Sequence, residues 1–160
     1  MEDIQKLYEL YSVDVYKFIL SLSKDTYIAE DVMQSTFLSA IKSLDKFKGH
    51  SSVKTWLIGI AKNEYYTYRR KNPLNNSLED IGASNFIYKE DYNENYYTII
   101  NEIGKLDEIN KEIVILRLIN DLSFKEIGVI TGKSENYCRV SFFRIKKQLG
   151  EVLKYEWYKL

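Results

Sequence analysis

The chain has 160 residues, of which 45% are hydrophobic and 29% charged, so it can bury one medium-sized core or two small ones. Its acidic start and the lack of an apolar run approaching about 18 residues argue against a signal peptide and a membrane span. We therefore expect a cytoplasmic protein with no membrane insertion. The single cysteine excludes an internal disulfide and a cysteine-based zinc site, and we expect no metal or other cofactor.

Apolar residues at steps of three and four predict three amphipathic helices in the first half of the chain. We expect them over 3–23, from Asp25 or Thr26 to Leu44, and over 53–71, with Pro73 ending the third. Tyr8 lies in the apolar stripe of the first helix, and Ile41 in that of the second. Residues 45–52 contain one glycine and two serines, which indicates a loop.

Residues 73–94 are rich in turn formers and acids and show no sustained apolar period, which indicates a flexible linker. Four further helices are predicted at about 95–105, 107–120, 123–131 and 134–153. The tail 155–160 either extends the last helix or frays. A single proline suits long helices, so the predicted fold is all-α, with small helical domains at 1–72 and 95–160 joined by the linker.

The formal net charge is zero, but the charges are unevenly distributed. Residues 42–71 carry eight basic side chains against two acids, and residues 133–147 carry five against one. Residues 1–31 and 78–94 are net acidic. The two basic segments fit two contacts with DNA, and they fit two solvated helix faces equally well.

Residues 123–134 have the pattern of a helix-turn-helix. Ser123 and Glu126 can form a capping box, and Gly132 supplies the positive φ that ends a helix in a sharp turn. Ser134 can then cap the next helix. The core-facing side of that next helix is predicted to carry Tyr137 or Cys138, then Phe142, Ile145 and Leu149.

Periodicity places Arg139, Ser141, Arg144 and Lys147 on the outer side of this basic helix. Arginine can bond guanine O6 and N7 together, whereas lysine mostly contacts phosphate. A plain αα-hairpin would also have a charged outer face, but the cap, the glycine and the basic helix together favour DNA recognition. A stand-alone helix-turn-helix transcriptional regulator is therefore one candidate function.

Two ordered motifs carry a resemblance. The first consists of Ala29–Leu38 (AEDVMQSTFL), Phe47-Lys48-Gly49 and Ser52–Asn63. The second consists of Leu106-Asp107-Glu108, Leu122–Gly128 and Arg144–Leu149. They resemble the second and fourth conserved domains of the sigma-70 family, in its extracytoplasmic-function (ECF) group. The resemblance implies a sigma factor that binds core RNA polymerase, directs initiation at promoter DNA and is not itself an enzyme.

The resemblance assigns roles within the domain 1–72. Glu30, Asp31 and Gln34 would dock on core polymerase, although an ordinary solvated helix face is the alternative. Contacts to the minus-ten promoter element and its opened strand would come from His50, Ser52, Lys54, Trp56, Lys62, Asn63, Arg69 and Arg70. Of these, Trp56 fits core support better than a platform for bases.

The resemblance also assigns residues that read the minus-thirty-five element. These are Arg139, Val140, Phe143 and Arg144, beside the Lys147 given by periodicity. Phe143 lies outside the outer face derived from periodicity, so the two derivations disagree there. Asn136-Tyr137 and Val140 depart from residues common in the family, which leaves the base preference open. ECF proteins are commonly held by an anti-sigma factor, and exposed apolar residues would suit one, but nothing in the sequence identifies it.

Overall fold

A computed structural model describes residues 4–73 and 94–153, with side chains over 4–73 and 98–151. The chain divides into two compact units. The described residues form seven α-helices, one 3₁₀ turn and no strand, which confirms the predicted all-α class. Nearly all of the predicted linker and the tail 155–160 lie outside the described residues. No helix in the described ranges is long and apolar enough to cross a membrane.

The first unit is a bundle of three helices, α1 (Ile4–Ser23), α2 (Thr26–Ser43) and α3 (Val53–Lys71), each in contact with the other two. Asp25 is the N-cap of α2, where its carboxylate accepts the backbone N–H groups of Tyr27 and Ile28 at 2.8 and 3.2 Å. The predicted loop begins with a 3₁₀ turn over Leu44–Lys46.

The core of the first unit is built from all three helices. Its fully buried side chains are Val15, Phe18, Ile19, Ala29, Ala40, Leu57, Ile58 and Ala61. Two stripe predictions were wrong, because Tyr8 is 43% and Ile41 is 50% exposed. Tyr8 lies at the rim, where its ring packs edge-on against Phe37 at 5.0 Å. Ile41 follows the exposed Gln34 by seven residues, so it lies on the face of α2 that is turned away from the bundle.

The second unit contains α4 (Glu94–Gly104), α5 (Glu108–Leu118), α6 (Phe124–Thr131) and α7 (Glu135–Leu153). Helices α5, α6 and α7 pack against one another, and α4 contacts α5 and α7. The core includes Ile113, Ile115, Leu116, Ile127, Cys138 and Ile145. Tyr137 is 42% exposed, so Cys138 is the residue that α7 turns toward the core.

Candidate nucleic-acid interface

The helix-turn-helix of the second unit forms as its sequence predicts. The Ser123 hydroxyl accepts the backbone N–H of Glu126 at 3.1 Å, and the Glu126 carboxylate accepts the backbone N–H of Ser123 at 2.8 Å. Gly132 ends α6 with a φ of 73°, and the Ser134 hydroxyl accepts the backbone N–H of Tyr137 at 3.0 Å. These bonds fix where α6 ends and where α7 begins.

One side of α7 presents a continuous exposed stripe. It contains all five predicted minus-thirty-five residues, namely Arg139, Val140, Phe143, Arg144 and Lys147. Their steps of three and four keep them on one helical face. Ser141 was predicted to face outward, but it is only 3% exposed, so that prediction was wrong. Phe143 is 52% exposed, so its placement by the family resemblance agrees with the structure and the periodicity argument erred.

Phe124 links this stripe to the core of the second unit. Its buried ring lies 5.6 Å from the ring of Phe142 and 5.9 Å from that of Phe143, between centroids. The Cζ atom of Arg139 lies 5.4 Å from the Phe124 centroid. The same guanidinium bonds the Glu135 carboxylate at 2.9 Å. Arg139 thus contacts both Phe124 and Glu135 at the surface.

Arg117 was missed by the sequence reasoning. It lies in the last turn of α5, and its Cζ atom stands 4.3 Å from the centroid of the Phe124 ring. Its Nη1 donates to the carbonyl oxygen of Leu122 at 2.9 Å. The available signal was an arginine that interrupts the apolar end of α5, six residues before the N-cap Ser123 of the helix-turn-helix.

The basic half of α3 divides into exposed and tethered side chains. Asn63 is exposed and Lys62 is half-buried. The Arg69 Nε donates to the Tyr65 hydroxyl at 3.0 Å, with the guanidinium 5.2 Å from the centroid of that ring. Arg70 is exposed, and its Nη2 donates to the Thr67 hydroxyl at 3.0 Å. The last turn of α3 therefore presents cations at the negative end of the helix dipole.

The loop before α3 and the start of that helix hold four predicted minus-ten residues. His50 is exposed. The Ser52 hydroxyl caps α3 by accepting the backbone N–H of Thr55 at 3.1 Å. The Lys54 Nζ lies 3.5 Å from the Asp14 carboxylate of α1. Ser52 and Lys54 therefore have partners within the unit.

Trp56 is half-buried, and its ring centroid lies 4.8 Å from that of Phe47 at an interplanar angle of 36°. This contact packs the loop against α3, which is consistent with a supporting role for Trp56 within the unit. Within the described residues, no group of three or more His, Cys, Asp or Glu side chains could hold a metal ion.

The predicted docking residues lie on the outer stripe of α2. We use this name for the exposed side chains on the face turned away from the bundle, which are Tyr27, Glu30, Asp31, Gln34, Leu38, Ile41 and Lys42. Sequence reasoning assigned Glu30, Asp31 and Gln34 to this surface and missed the other members. The spacing of 27, 34, 38 and 41 was the signal, because steps of seven, four and three repeat one helical face.

Two family models match the chain. Residues 7–73 match sigma-70 region 2, and residues 98–149 match sigma-70 region 4. The first match spans the three-helix bundle from early in α1 to just past α3. The second spans most of α4 to α7, including the whole helix-turn-helix.

The similarity to known proteins extends over nearly the whole chain. The chain is 29% identical to the ECF RNA polymerase sigma factor SigM of Bacillus subtilis over 151 residues, covering 91% of this chain and 92% of that protein. It is 26% identical to the ECF sigma factor SigX of the same organism over 164 residues, covering 96% and 84%.

Two solved structures share the fold. One is the sigma factor RpoE in complex with the anti-sigma factor NepR from Bartonella quintana, with a TM-score of 0.74, 21% identity, and coverage of 98% of this chain and 99% of that one. The other is CnrH in complex with the cytosolic domain of CnrY, with a TM-score of 0.73, 21% identity, and coverage of 94% and 87%. The family matches and the relatives show that the chain belongs to the sigma-70 family, in its ECF group of RNA polymerase sigma factors.

Proposed function

We propose a division of labour for this sigma factor, which binds core RNA polymerase and directs transcription initiation at specific promoters. Residues 1–72 bind core polymerase and open the promoter at the minus-ten element. Residues 95–160 read the minus-thirty-five element, and 73–94 tether the two parts. The exposed stripe of α7, set on a capped helix-turn-helix, is the observation that carries this proposal. Polymerase makes every bond, so the chain needs no catalytic residue or cofactor and works in the cytoplasm beside it.

The stripe of α7 suits the major groove of DNA, which is wide enough for one α-helix. Arg139 and Arg144 can bond the O6 and N7 of guanine, and Lys147 neutralises a phosphate. Phe143 and Val140 are both more than half exposed, and apolar side chains in this position contact thymine methyl groups. The stripe therefore combines base-edge contacts with backbone contacts.

The basic half of α3 suits the minus-ten element. Asn63 offers an exposed amide for a base edge, and Arg69, Arg70 and Lys62 neutralise phosphates. Beside them, His50 and Ser52 offer polar groups to the opened strand, and Lys54 offers a cation. The Phe47–Trp56 contact supplies an apolar wall beside these groups, as a pocket for an unstacked base requires.

The outer stripe of α2 suits a partner with basic and apolar side chains. Glu30, Asp31 and Gln34 can bond arginine side chains of a coiled coil of core polymerase. The neighbouring Leu38 is 60% exposed, which adds apolar surface to the same face. An anti-sigma factor is a second proposed partner, because such a protein is bound in the RpoE complex and would cover apolar side chains of this kind.

Run-off transcription from a promoter library tests the proposal. Core polymerase with the chain should initiate at a defined promoter set, and core polymerase alone should not. The isolated chain should bind promoter DNA weakly, because a chain of zero net charge releases few counterions, whereas core polymerase fixes both domains in place. Tight, specific duplex binding without polymerase, at half-sites about one helical turn apart, would instead support a stand-alone regulator.

A further inference from the structure

Two guanidinium groups share one aromatic ring at the base of the recognition helix. Arg117 reaches Phe124 from the end of α5, with Cζ at 4.3 Å from the centroid, and Arg139 reaches it from α7, with Cζ at 5.4 Å. Both distances lie within the range of a cation–π contact. The two cations can be no further apart than the sum of these distances, so each feels the other through a partly buried medium.

Arg117 is the more firmly held of the two arginines. This side chain is half-buried and donates to the carbonyl oxygen of Leu122, directly before the N-cap of α6. The anchor holds the guanidinium over the ring, and we expect it to restrict the position of Phe124 beside α7. Arg139 is exposed, and its bond to Glu135 joins two half-exposed side chains, a kind of pair that holds geometry weakly.

We propose that Arg117 is a positioning residue for sequence recognition. It holds the Phe124 ring in place and repels the second cation, which directs the guanidinium of Arg139 outward toward the base edge. The inference rests on the proposed role of Arg139 at the minus-thirty-five element. Arg117→Lys would keep the charge but lose the planar guanidinium, which can lie over the ring and bond the Leu122 carbonyl at the same time.

Transcription with core polymerase on promoters that vary only in the minus-thirty-five element tests this. Arg139→Ala should lower the discrimination at one base pair by about fivefold or more, the size of one base contact. Arg117→Lys should lower it at the same base pair, by about twofold or more, and the double variant should be no worse than Arg139→Ala alone. Lys105→Ala, which removes an exposed cation of the second unit outside the α7 stripe, should leave that discrimination unchanged.

The outcomes separate the positioning role of Arg117 from the base contact of Arg139. If Arg117→Lys lowers transcription equally for all minus-thirty-five sequences, Arg117 is a phosphate contact or a purely structural residue, and the positioning role is wrong while that of Arg139 stands. If Arg139→Ala changes no base preference, both are wrong.

A direct measurement is the NMR ring-current shift of the Arg139 side chain in the full chain, which should change in Arg117→Lys. If that variant folds poorly, Arg117→Gln, which keeps a donor to Leu122 but removes the repelling charge, should also change the shift, and an unchanged shift would overturn the proposal.

Discussion

The carbonyl oxygen of Lys133 lies only 2.6 Å from the position that a Cβ atom on Gly128 would occupy. Real Cβ atoms do not approach a backbone oxygen so closely, so the turn after α6 can close onto that helix only over a glycine. Gly128 thereby sets how near the start of α7 lies to α6. The orientation of the exposed stripe of α7 depends on this contact.

Gly128→Ala should therefore destabilise the second unit by about 1–3 kcal/mol, because the backbone of the turn must move. Chemical denaturation followed by circular dichroism measures the loss. Gly59→Ala is the matched control, since Gly59 lies inside α3 and a Cβ there meets nothing within 4 Å. That change should stabilise by about 0.5–1 kcal/mol. Equal effects of the two substitutions would contradict the close approach.

Ser123→Ala should weaken the start of α6. It removes the acceptor for the Glu126 backbone N–H and breaks the reciprocal capping box, at a cost of about 1 kcal/mol in the free energy of unfolding. Ser123→Asp retains an acceptor and should recover most of that loss. A stability of Ser123→Ala equal to the parent chain would show that the cap contributes nothing.

Phe142 and Phe143 are adjacent in sequence, but truncation to alanine should affect mainly stability at Phe142 and mainly promoter preference at Phe143. Phe142 is 5% exposed, so Phe142→Ala should cost about 3–5 kcal/mol of unfolding free energy. Phe143 is 52% exposed, so Phe143→Ala should cost about 1 kcal/mol through its ring contacts, yet should alter the minus-thirty-five preference. Denaturation and run-off transcription measure the two effects. A larger stability loss at Phe143 than at Phe142 would reverse the assigned faces.

This pair also shows how far the sequence could be interpreted. The helix positions follow from local signals, namely apolar spacing, the caps at Asp25 and Ser123 and the turn at Gly132, so they were predicted to within a few residues. The error at Ser141 has a different cause. The phase of a helix is set by the neighbours that bury one side, and the packing of α7 against the other helices of its unit covers Ser141 and leaves Phe143 exposed.

Contacts between helices could not be predicted from the sequence for the same reason. The approach of Arg117 to Phe124 depends on how α5 meets α6, and the ion pair of Lys54 with Asp14 depends on how α3 meets α1. No spacing within one helix encodes either distance. The family resemblance named Lys54 as a DNA contact but gave no indication of this partner.

The outer stripe of α2 should govern affinity for core polymerase. Asp31→Ala and Gln34→Ala should each weaken core binding. Each change removes a polar group that bonds a side chain of core polymerase, and that side chain would then be buried without a partner. Competition with a labelled parent chain for core polymerase measures the change. Glu9→Ala is the control, since Glu9 is also an exposed acid but lies on α1. Core affinity that is unchanged in Asp31→Ala and Gln34→Ala would remove this surface from the docking site.

The pairing of Lys54 with Asp14 allows its two proposed uses to be separated. The side chains are 25% and 31% exposed, and an ion pair of this kind contributes at most about 1 kcal/mol, so Lys54→Ala and Asp14→Asn should both leave the fold intact. If Lys54 contacts the opened strand, Lys54→Ala should reduce promoter opening, because a phosphate contact is lost. Asp14→Asn should leave opening undiminished, because it removes an acid and keeps the cation. Permanganate reactivity of unpaired thymines in the polymerase complex measures opening, and equal losses in the two variants would mean that Lys54 acts only by holding α3 to α1.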